Sequence, residues 1–197
     1  MKVLVACEFS GIVREAFAKR GHDAWSCDLL PSEIPGQHYQ GDVIDIINDG
    51  WDLMIAHPPC TYLANSGVQH LHKQEGRWEK MLEAREFFIK LLNADINKIC
   101  IENPVPHKYA ELPDYSQIIQ PFEHGHNVSK RTCLWLKNLL HIYSTNIVDK
   151  GDRYFGKDGK SNGALWYQIP PSGERWKIRS KTFQGIAEAF ASQWGES

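Results

Sequence analysis

A cysteine that follows two prolines, in the stretch Ala56-His57-Pro58-Pro59-Cys60-Thr61, is the residue of this chain best suited to chemistry. It comes directly after the apolar run 52–56, which is short enough to be a buried strand. Because proline cannot continue a hydrogen-bonded ladder, the chain must leave the sheet at Pro58, and Cys60 lies just beyond the strand. Ligands of open α/β sheets bind at that edge. Cys60 is therefore a candidate nucleophile, although a lone cysteine is more often a small buried hydrophobic residue.

The segments that must position Cys60 alternate between strands and helices. Apolar spacing predicts helices at 12–20, 77–93 and 182–194, and strands at 2–6, 24–27, 52–56 and 98–101. Further strands, at 115–122 and 132–136, are expected to form an antiparallel edge. The alternation predicts an α/β fold with a doubly wound, mostly parallel sheet. The polar residues 61–76 are expected to form a mobile loop over the site.

Three predicted strands end in residues suited to binding a nucleoside. Phe9-Ser10-Gly11 follow the first strand, Asp28 ends the second, and Pro58 follows the strand before Cys60. In sheets of this kind an acidic side chain holds the ribose hydroxyls. The first turn lacks the Gly-x-Gly-x-x-Gly of a pyrophosphate site, because Val13 and Arg14 stand where small residues are needed. A cofactor without phosphates, such as S-adenosylmethionine, is therefore favoured over a dinucleotide.

Charge is distributed unevenly along the 197 residues, which are expected to form one domain, 1–197. The net charge of −2 does not by itself favour a nucleic-acid partner. Residues 130–185, however, hold 11 Lys or Arg against 4 Asp or Glu, a local charge of +7 that leaves −9 for the rest. A basic insert at about 143–180, with interleaved aromatic residues, is expected to contact DNA, duplex or single-stranded. The alternative is a solvated loop.

The cysteine pattern bears on the compartment. Five widely spaced cysteines without a Cys-x-x-Cys pair favour free thiols in a reducing cytosol, so a cytoplasmic protein is expected. No apolar run approaches the roughly 20 residues of a membrane helix. Glu8 comes too early for a signal peptide. The pairs His70/His72 and His124/His126 lack the cysteine or acidic complement of a zinc site, so no metal is expected.

Five short segments, taken in chain order, carry a resemblance to a known family. They are Phe9-Ser10-Gly11-Ile12, Gly41-Asp42-Val43, Pro58-Pro59-Cys60 with Ser66-Gly67, Ile101-Glu102-Asn103-Pro104, and Lys130-Arg131 before the apolar run 133–136. These segments resemble, in the same order, motifs of the cytosine-5 DNA methyltransferases. The likeness is greatest to the small methylase-like proteins that phages and prophages often carry.

The resemblance implies a Rossmann-like methyltransferase fold, S-adenosylmethionine as cofactor, and Asp42 and Val43 beside its adenine. It also implies Cys60 as the nucleophile that adds to carbon 6 of cytosine, which activates carbon 5 for methylation. Glu102 would act as the acid at ring nitrogen 3, and Arg131 would orient the ring or a phosphate. A glutamate in that role must carry or share a proton, so burial is expected to raise its pKa.

The chain also departs from the family pattern. Cys7, Val13, Thr61 and Pro104 replace family residues, and only about 40 residues, 140–180, stand where the family carries a large target-recognition domain. Two alternatives therefore stay open. An amino-group methyltransferase, acting on N4 of cytosine or N6 of adenine, would use an aromatic residue after the prolines, and Tyr62 is close. A non-catalytic methylase relic would bind nucleotide or DNA without turnover.

Overall fold

The computed structural model describes residues 1–155, 157, 161–164, 166, 169 and 172–196. Seven strands of this part of the chain form one sheet in the order β3-β2-β1-β4-β5-β7-β6. Their bounds are β1 Lys2–Ala6, β2 Asp23–Asp28, β3 His38–Gln40, β4 Leu53–Ala56, β5 Lys98–Pro104, β6 Gln117–Ile119 and β7 Thr132–Lys137. In this region, no helix has both the length and the apolar character needed to cross a membrane.

The directions of the strands confirm the predicted fold class. Strands β3, β2, β1, β4 and β5 pair in parallel, whereas β7 is antiparallel to both β5 and β6. The outermost strand β6 therefore runs in the same direction as β5, and β7 is the reversed strand of this sheet. This is the doubly wound, mostly parallel arrangement with an antiparallel edge that the sequence predicts.

Helices cover both faces of the sheet. Helices α1 (Ile12–Ala18) and α4 (Gln184–Trp194) pack against one face, where Phe17 and Phe190 are buried together with Val5 of β1. Helix α2 (Arg77–Leu92) packs against the other face, where Phe88 meets Met54 of β4. Successive strand residues point to opposite faces, so the continuous apolar runs in β1 and β4 supply both cores.

The structure corrects several predicted bounds. Strand β3 was not expected, because it is three residues long and has no apolar run. Strand β5 continues to Pro104 rather than ending at Ile101, because the ladder with β7 runs through Glu102 and Asn103. The helix predicted at 12–20 ends at Ala18.

Residues 61–76 are more regular than a loop. They contain a 3-10 helix, Asn65–His70, and Leu63 and Leu71 are buried in the core shared with α2. Backbone bonds tie the start of the segment to the residues after β5, since Asn65 N–H donates to Val105 and His107 N–H donates to Leu63. The two leucines explain the difference, because they give the segment apolar surface to bury.

The basic insert contains regular elements in its described part. Strands β8 (Arg153–Phe155) and β9 (Ser161–Ala164) form a hairpin, and the short helix α3 (Arg175–Ser180) follows. Trp176 of α3 packs on Phe9, with 5.7 Å between ring centroids, and Lys181 forms an ion pair with Glu33. These contacts place α3 against the turn after β1.

A buried arginine holds the chain between β2 and β3. The guanidinium of Arg14 is fully buried and donates to the hydroxyls of Ser26 and Ser32 and to the carbonyls of Ile34 and Pro35. The close approach requires glycine at position 36, where φ is 153° and a Cβ would lie 2.7 Å from Arg14 Cζ. One side chain thus satisfies the polar groups of a segment that has no regular structure of its own.

Replacing this guanidinium should destabilise the fold. Arg14→Met leaves several buried acceptors unpaired, and we expect the free energy of unfolding to fall by about 3 kcal/mol. Arg20→Met is the matched control, because Arg20 is partly exposed and its ion pair with Glu196 is long at 3.7 Å. Its effect should stay within about 0.5 kcal/mol. Urea unfolding of both variants measures the difference, and equal stabilities would contradict the role given to Arg14.

Candidate active site

The turn that carries Cys60 is held from the neighbouring strand. Asn103 of β5 is buried and its Nδ2 donates to the carbonyl of Pro58 at 2.9 Å. The carbonyl of Cys60 accepts from the backbone N–H groups of Leu63 and Ala64, which closes the turn. The Cys60 side chain is half-buried at the carboxyl edge of the sheet. Cys60 is thus fixed on both sides, by β5 and by its own turn.

A buried histidine–carboxylate pair lies beside this turn. His57 Nδ1 is 2.9 Å from Glu102 Oε2, and the two side chains are only 8% and 13% exposed. His57 directly follows β4, and Glu102 lies within β5, the strand paired with β4. The sequence analysis assigned no role to His57. The signal that could have pointed to it is its position, a polar side chain at the end of a buried strand.

The charge state of Glu102 differs from the expectation. Burial by itself raises the pKa of this carboxyl, as predicted, but the hydrogen bond from His57 and the charge of Lys130 outweigh burial. The pKa of Glu102 therefore lies below its usual value, and the prediction that it would be raised is wrong. The sequence could not show this, because both compensating groups are distant along the chain.

The Cys60 thiol is shifted in the opposite direction. Burial and the charge of Glu102 raise its pKa, while Lys130 and Arg179 act against this rise. The protein without substrate therefore holds a proton on sulfur and a negative charge on Glu102. A reaction at Cys60 requires that this proton leave the sulfur.

The cation that acts on both groups is Lys130, which the sequence analysis named beside Arg131 without giving it a role. Its Nζ donates to the carbonyl of Arg179, which joins it to the end of α3. Arg131, the arginine predicted to orient the ring or a phosphate, is exposed, and its charge acts on Cys133. The structure therefore brings Cys60, Glu102 and Lys130 together and leaves Arg131 at the surface beside them.

A second buried carboxylate, Glu8, lies close enough to His57 for their charges to interact. It is 4% exposed and accepts from Ser10 Oγ and from the N–H groups of Val13 and Arg14, at the first turn of α1. Burial raises the pKa of Glu8, and His57 is the largest of the effects that lower it. Ser10, predicted to bind the cofactor, is therefore engaged with Glu8, and its Oγ also accepts from the N–H of Ile12 at 3.4 Å.

The predicted cofactor residues lie at the same edge of the sheet. Cys7, in the left-handed region with φ 58°, lies close enough to Asp28 and Asp42 that both charges raise the pKa of its thiol, together with burial. Asp28 is half-buried and caps its own turn through Leu30 N–H, and the exposed Asp42 does the same through Ile44 N–H. The two aspartates thus lie near Cys7 and keep part of their surface open to solvent.

The remaining predicted cofactor residues are buried. Phe9 lies under Trp176 and its carbonyl accepts from Glu33 N–H, while Gly11 packs against Arg14. Pro58 is buried, and Val43 is 3% exposed and belongs to the core on the α2 side. Their contribution to cofactor binding stays a prediction.

The histidine pairs have local roles where their contacts are described. His124 Nδ1 lies 3.0 Å from Thr145 Oγ1, and His126 Nε2 accepts from the N–H of Gly185 at the start of α4. His72 packs against Trp78 and Tyr109. Among the described residues, no group of three or more His, Cys, Asp or Glu is placed to hold a metal ion.

Comparison with known proteins gives structural neighbours only. No protein-family model matches the chain, and no curated protein matches it. One similar solved structure is a prophage-encoded chain from E. coli assigned as a DNA modification methyltransferase, with 16% identity and a TM-score of 0.49, covering 90% of this chain and 68% of its own. Another is the Entamoeba histolytica methyltransferase EhMeth, with 15% identity and a TM-score of 0.46, covering 74% of this chain and 57% of its own. The fold assignment rests on the strand order and directions described above.

Neutralising Lys130 should make the Cys60 thiol harder to ionise. Lys130→Gln removes the positive charge that lowers the pKa of Cys60, while the negative charge of Glu102 that raises it remains. The pKa of Cys60 should therefore rise further. The rate of iodoacetamide alkylation at Cys60, followed by mass spectrometry across a pH series, measures the shift. Arg131→Gln is the matched control and should leave the midpoint unchanged. Equal midpoints in the two variants would contradict the role of Lys130.

Proposed function

We propose that this protein is an S-adenosylmethionine-dependent DNA methyltransferase that acts on carbon 5 of cytosine through a covalent bond to Cys60. The observation that carries the proposal is the proximity of Cys60, in the turn after β4, to Glu102 of the neighbouring strand β5. Asn103, next to Glu102, holds this turn through Pro58, and the charge of Glu102 acts on the thiol. Carbon-5 methylation needs both a sulfur nucleophile and an acid at the ring. The resemblance in motif order supports the same assignment of the two residues.

The protonation states of the free protein suit a reaction in which one proton moves from sulfur to the base. The Cys60 sulfur forms a bond to carbon 6, its proton passes to Glu102, and Glu102 delivers a proton to ring nitrogen 3. The electrons of the carbon 5–carbon 6 double bond then make carbon 5 nucleophilic. After methylation, water takes the proton from carbon 5 as the bond from sulfur to carbon 6 breaks and releases the thiolate. The proton on ring nitrogen 3 returns through Glu102 to the sulfur, which restores the thiol and the carboxylate. No external acid is required for the addition step.

The cofactor side fits an uncharged nucleoside better than a phosphate. Asp28 and Asp42 place two carboxylates near Cys7, which suits ribose hydroxyls or an amino group and repels phosphate. The exposed side chain of Leu29, next to Asp28, offers apolar surface for a base. When bound, S-adenosylmethionine would supply the electrophilic methyl group.

The basic insert supports DNA as the substrate. Helix α3 carries Arg175, Lys177 and Arg179, and half of the Trp176 side chain is exposed. Arg179 approaches Cys60 closely enough to act on its thiol. We propose that these cations, with the exposed Arg131, bind phosphates around a cytosine that has been flipped out of the helix.

Covalent capture tests the proposed chemistry directly. Cys60→Ser should reduce methyl transfer to background, because a serine hydroxyl is almost never ionised at neutral pH, while cofactor binding persists. Glu102→Gln should reduce transfer about 10²–10⁴-fold, because an amide cannot deliver a proton. Glu111→Gln, at an exposed acid paired with Arg85, is the control and should retain activity. DNA containing 5-fluorocytosine should trap the wild-type protein, since fluorine blocks the final elimination.

Two outcomes would overturn this chemistry. Methyl transfer to DNA by a wild-type protein that forms no covalent adduct would indicate amino-group methylation. A protein that neither transfers methyl groups nor binds S-adenosylmethionine would support the second alternative, a non-catalytic methylase relic. The location of any adduct on Cys60 is read by peptide mass spectrometry.

DNA binding through the basic insert should depend steeply on salt. Neutralising Lys157, Lys160 and Lys177 should reduce the slope of log affinity against log salt by about 3, roughly 1 per phosphate contact. Lys160 lies outside the described residues. The control neutralises the exposed lysines Lys19, Lys80 and Lys90, outside the insert. Equal slopes for the two triple variants would contradict a DNA contact by the insert.

A further inference from the structure

His57 occupies a position that its immediate surroundings hold rigidly. Its backbone N–H donates to the carbonyl of Ala6, which extends the pairing of β4 with β1 by one residue. Its side chain is only 8% exposed, with Glu102 at hydrogen-bond distance and Glu8 near enough for the His57 charge to act on it. The imidazole of His57, directly after β4, thus lies close to two acidic side chains, Glu102 and Glu8.

The hydrogen on the bond between His57 and Glu102 belongs to the histidine. An ionised carboxylate has no hydrogen to donate, so His57 Nδ1 carries the proton and Glu102 Oε2 accepts it. The other ring nitrogen, Nε2, is buried and has no hydrogen-bond partner among the described residues. Nδ1 is therefore the ring nitrogen of His57 that forms a described hydrogen bond, and its partner is Glu102.

Glu8 does not need His57 as a donor. Three donors already meet its two oxygens, from Ser10 and from the first turn of α1. The hydrogen bond of His57 is instead directed to the carboxylate that lies beside Cys60. Five groups share an electrostatic interaction with Glu102, namely His57, Lys130, Cys60, Cys100 and Cys133.

We propose that His57 is a positioning residue for the reaction at Cys60: its Nδ1–H binds Oε2 of Glu102 and leaves Oε1 to exchange a proton with the base. This inference rests on the proposed function. By holding one oxygen, His57 orients the carboxyl group and stabilises its ionised form each time the proton has been delivered. Lys130 supplies charge to the same carboxylate but, unlike His57, has no described hydrogen bond to it.

The first test measures the coupling without any substrate. In the wild-type protein, the hydrogen bond from His57 lowers the pKa of Glu102. His57→Phe removes this donor, so the pKa of Glu102 should rise and the carboxyl should take up its proton at higher pH. His57→Asn should keep the lower value, because an asparagine amide places a donor near the position of Nδ1. His57→Gln is the matched control, since its longer amide reaches the position of Nε2. Carbon-13 NMR of the Glu102 carboxyl gives the titration midpoint in each folded variant.

The second test measures the consequence for chemistry. The single-turnover rate of adduct formation with 5-fluorocytosine DNA should fall about 10²-fold in His57→Phe and His57→Gln. His57→Asn should recover most of this rate, and all variants should bind DNA with similar affinity. A purely structural role would give no preference for asparagine over glutamine.

The outcomes separate this inference from the proposed function. An unchanged Glu102 midpoint in folded His57→Gln, relative to His57→Asn, would overturn the positioning role whatever the activity. If His57→Phe does not fold, the comparison of the two amides still decides. If the Glu102 midpoint shifts in His57→Gln but the wild-type protein forms no adduct, the coupling between His57 and Glu102 is supported and the cytosine-5 chemistry is rejected.

Discussion

The arrangement of the site depends on one constraint: the ionised Glu102 carboxylate is buried and must be stabilised there. Moving an ionised carboxylate out of water is costly unless it is paired and hydrogen-bonded. The hydrogen bond from His57 and the charge of Lys130 offset this cost. They come from two other parts of the chain, the residue after β4 and the second residue before β7. The same pairing that stabilises the acid brings the Cys60 turn beside it. The contacts that stabilise the buried Glu102 carboxylate are thus part of the same arrangement that places Cys60 for the proposed reaction.

The reversed direction of β7 explains why Lys130 is at the site at all. In a parallel sheet, the ends of strands gather at one edge, as Asp28, His57 and Cys60 do. Because β7 runs the other way, it is the start of β7 that lies at this edge, and the residues just before it are Lys130 and Arg131. The two cations are adjacent in the sequence, yet Lys130 is the one that acts on Glu102, while Arg131 acts on Cys133.

Much of the fold could be predicted from the sequence, for a physical reason. The runs that form β1, β4 and β5 are continuously apolar because both faces of these strands are buried, and α2 has apolar residues at helical spacing. Strand β3 was missed because His38–Gln40 pairs along one edge and buries little apolar surface. The length of β5 was underestimated because the ladder with β7, rather than its own residues, extends it through Glu102.

The sequence by itself determined the order of strands and helices, the strand end at Pro58, and the candidates Cys60 and Glu102, because these follow from local apolar spacing, from proline and from motif resemblance. Only the tertiary structure decided which groups surround them. His57 and Glu102 are 45 positions apart along the chain, and Lys130 lies 28 positions beyond Glu102, so no local pattern relates them. The direction of a pKa depends on the sum of burial, hydrogen bonds and charges in space. That sum, which leaves Glu102 ionised and the Cys60 thiol protonated, exists only after the strands have paired.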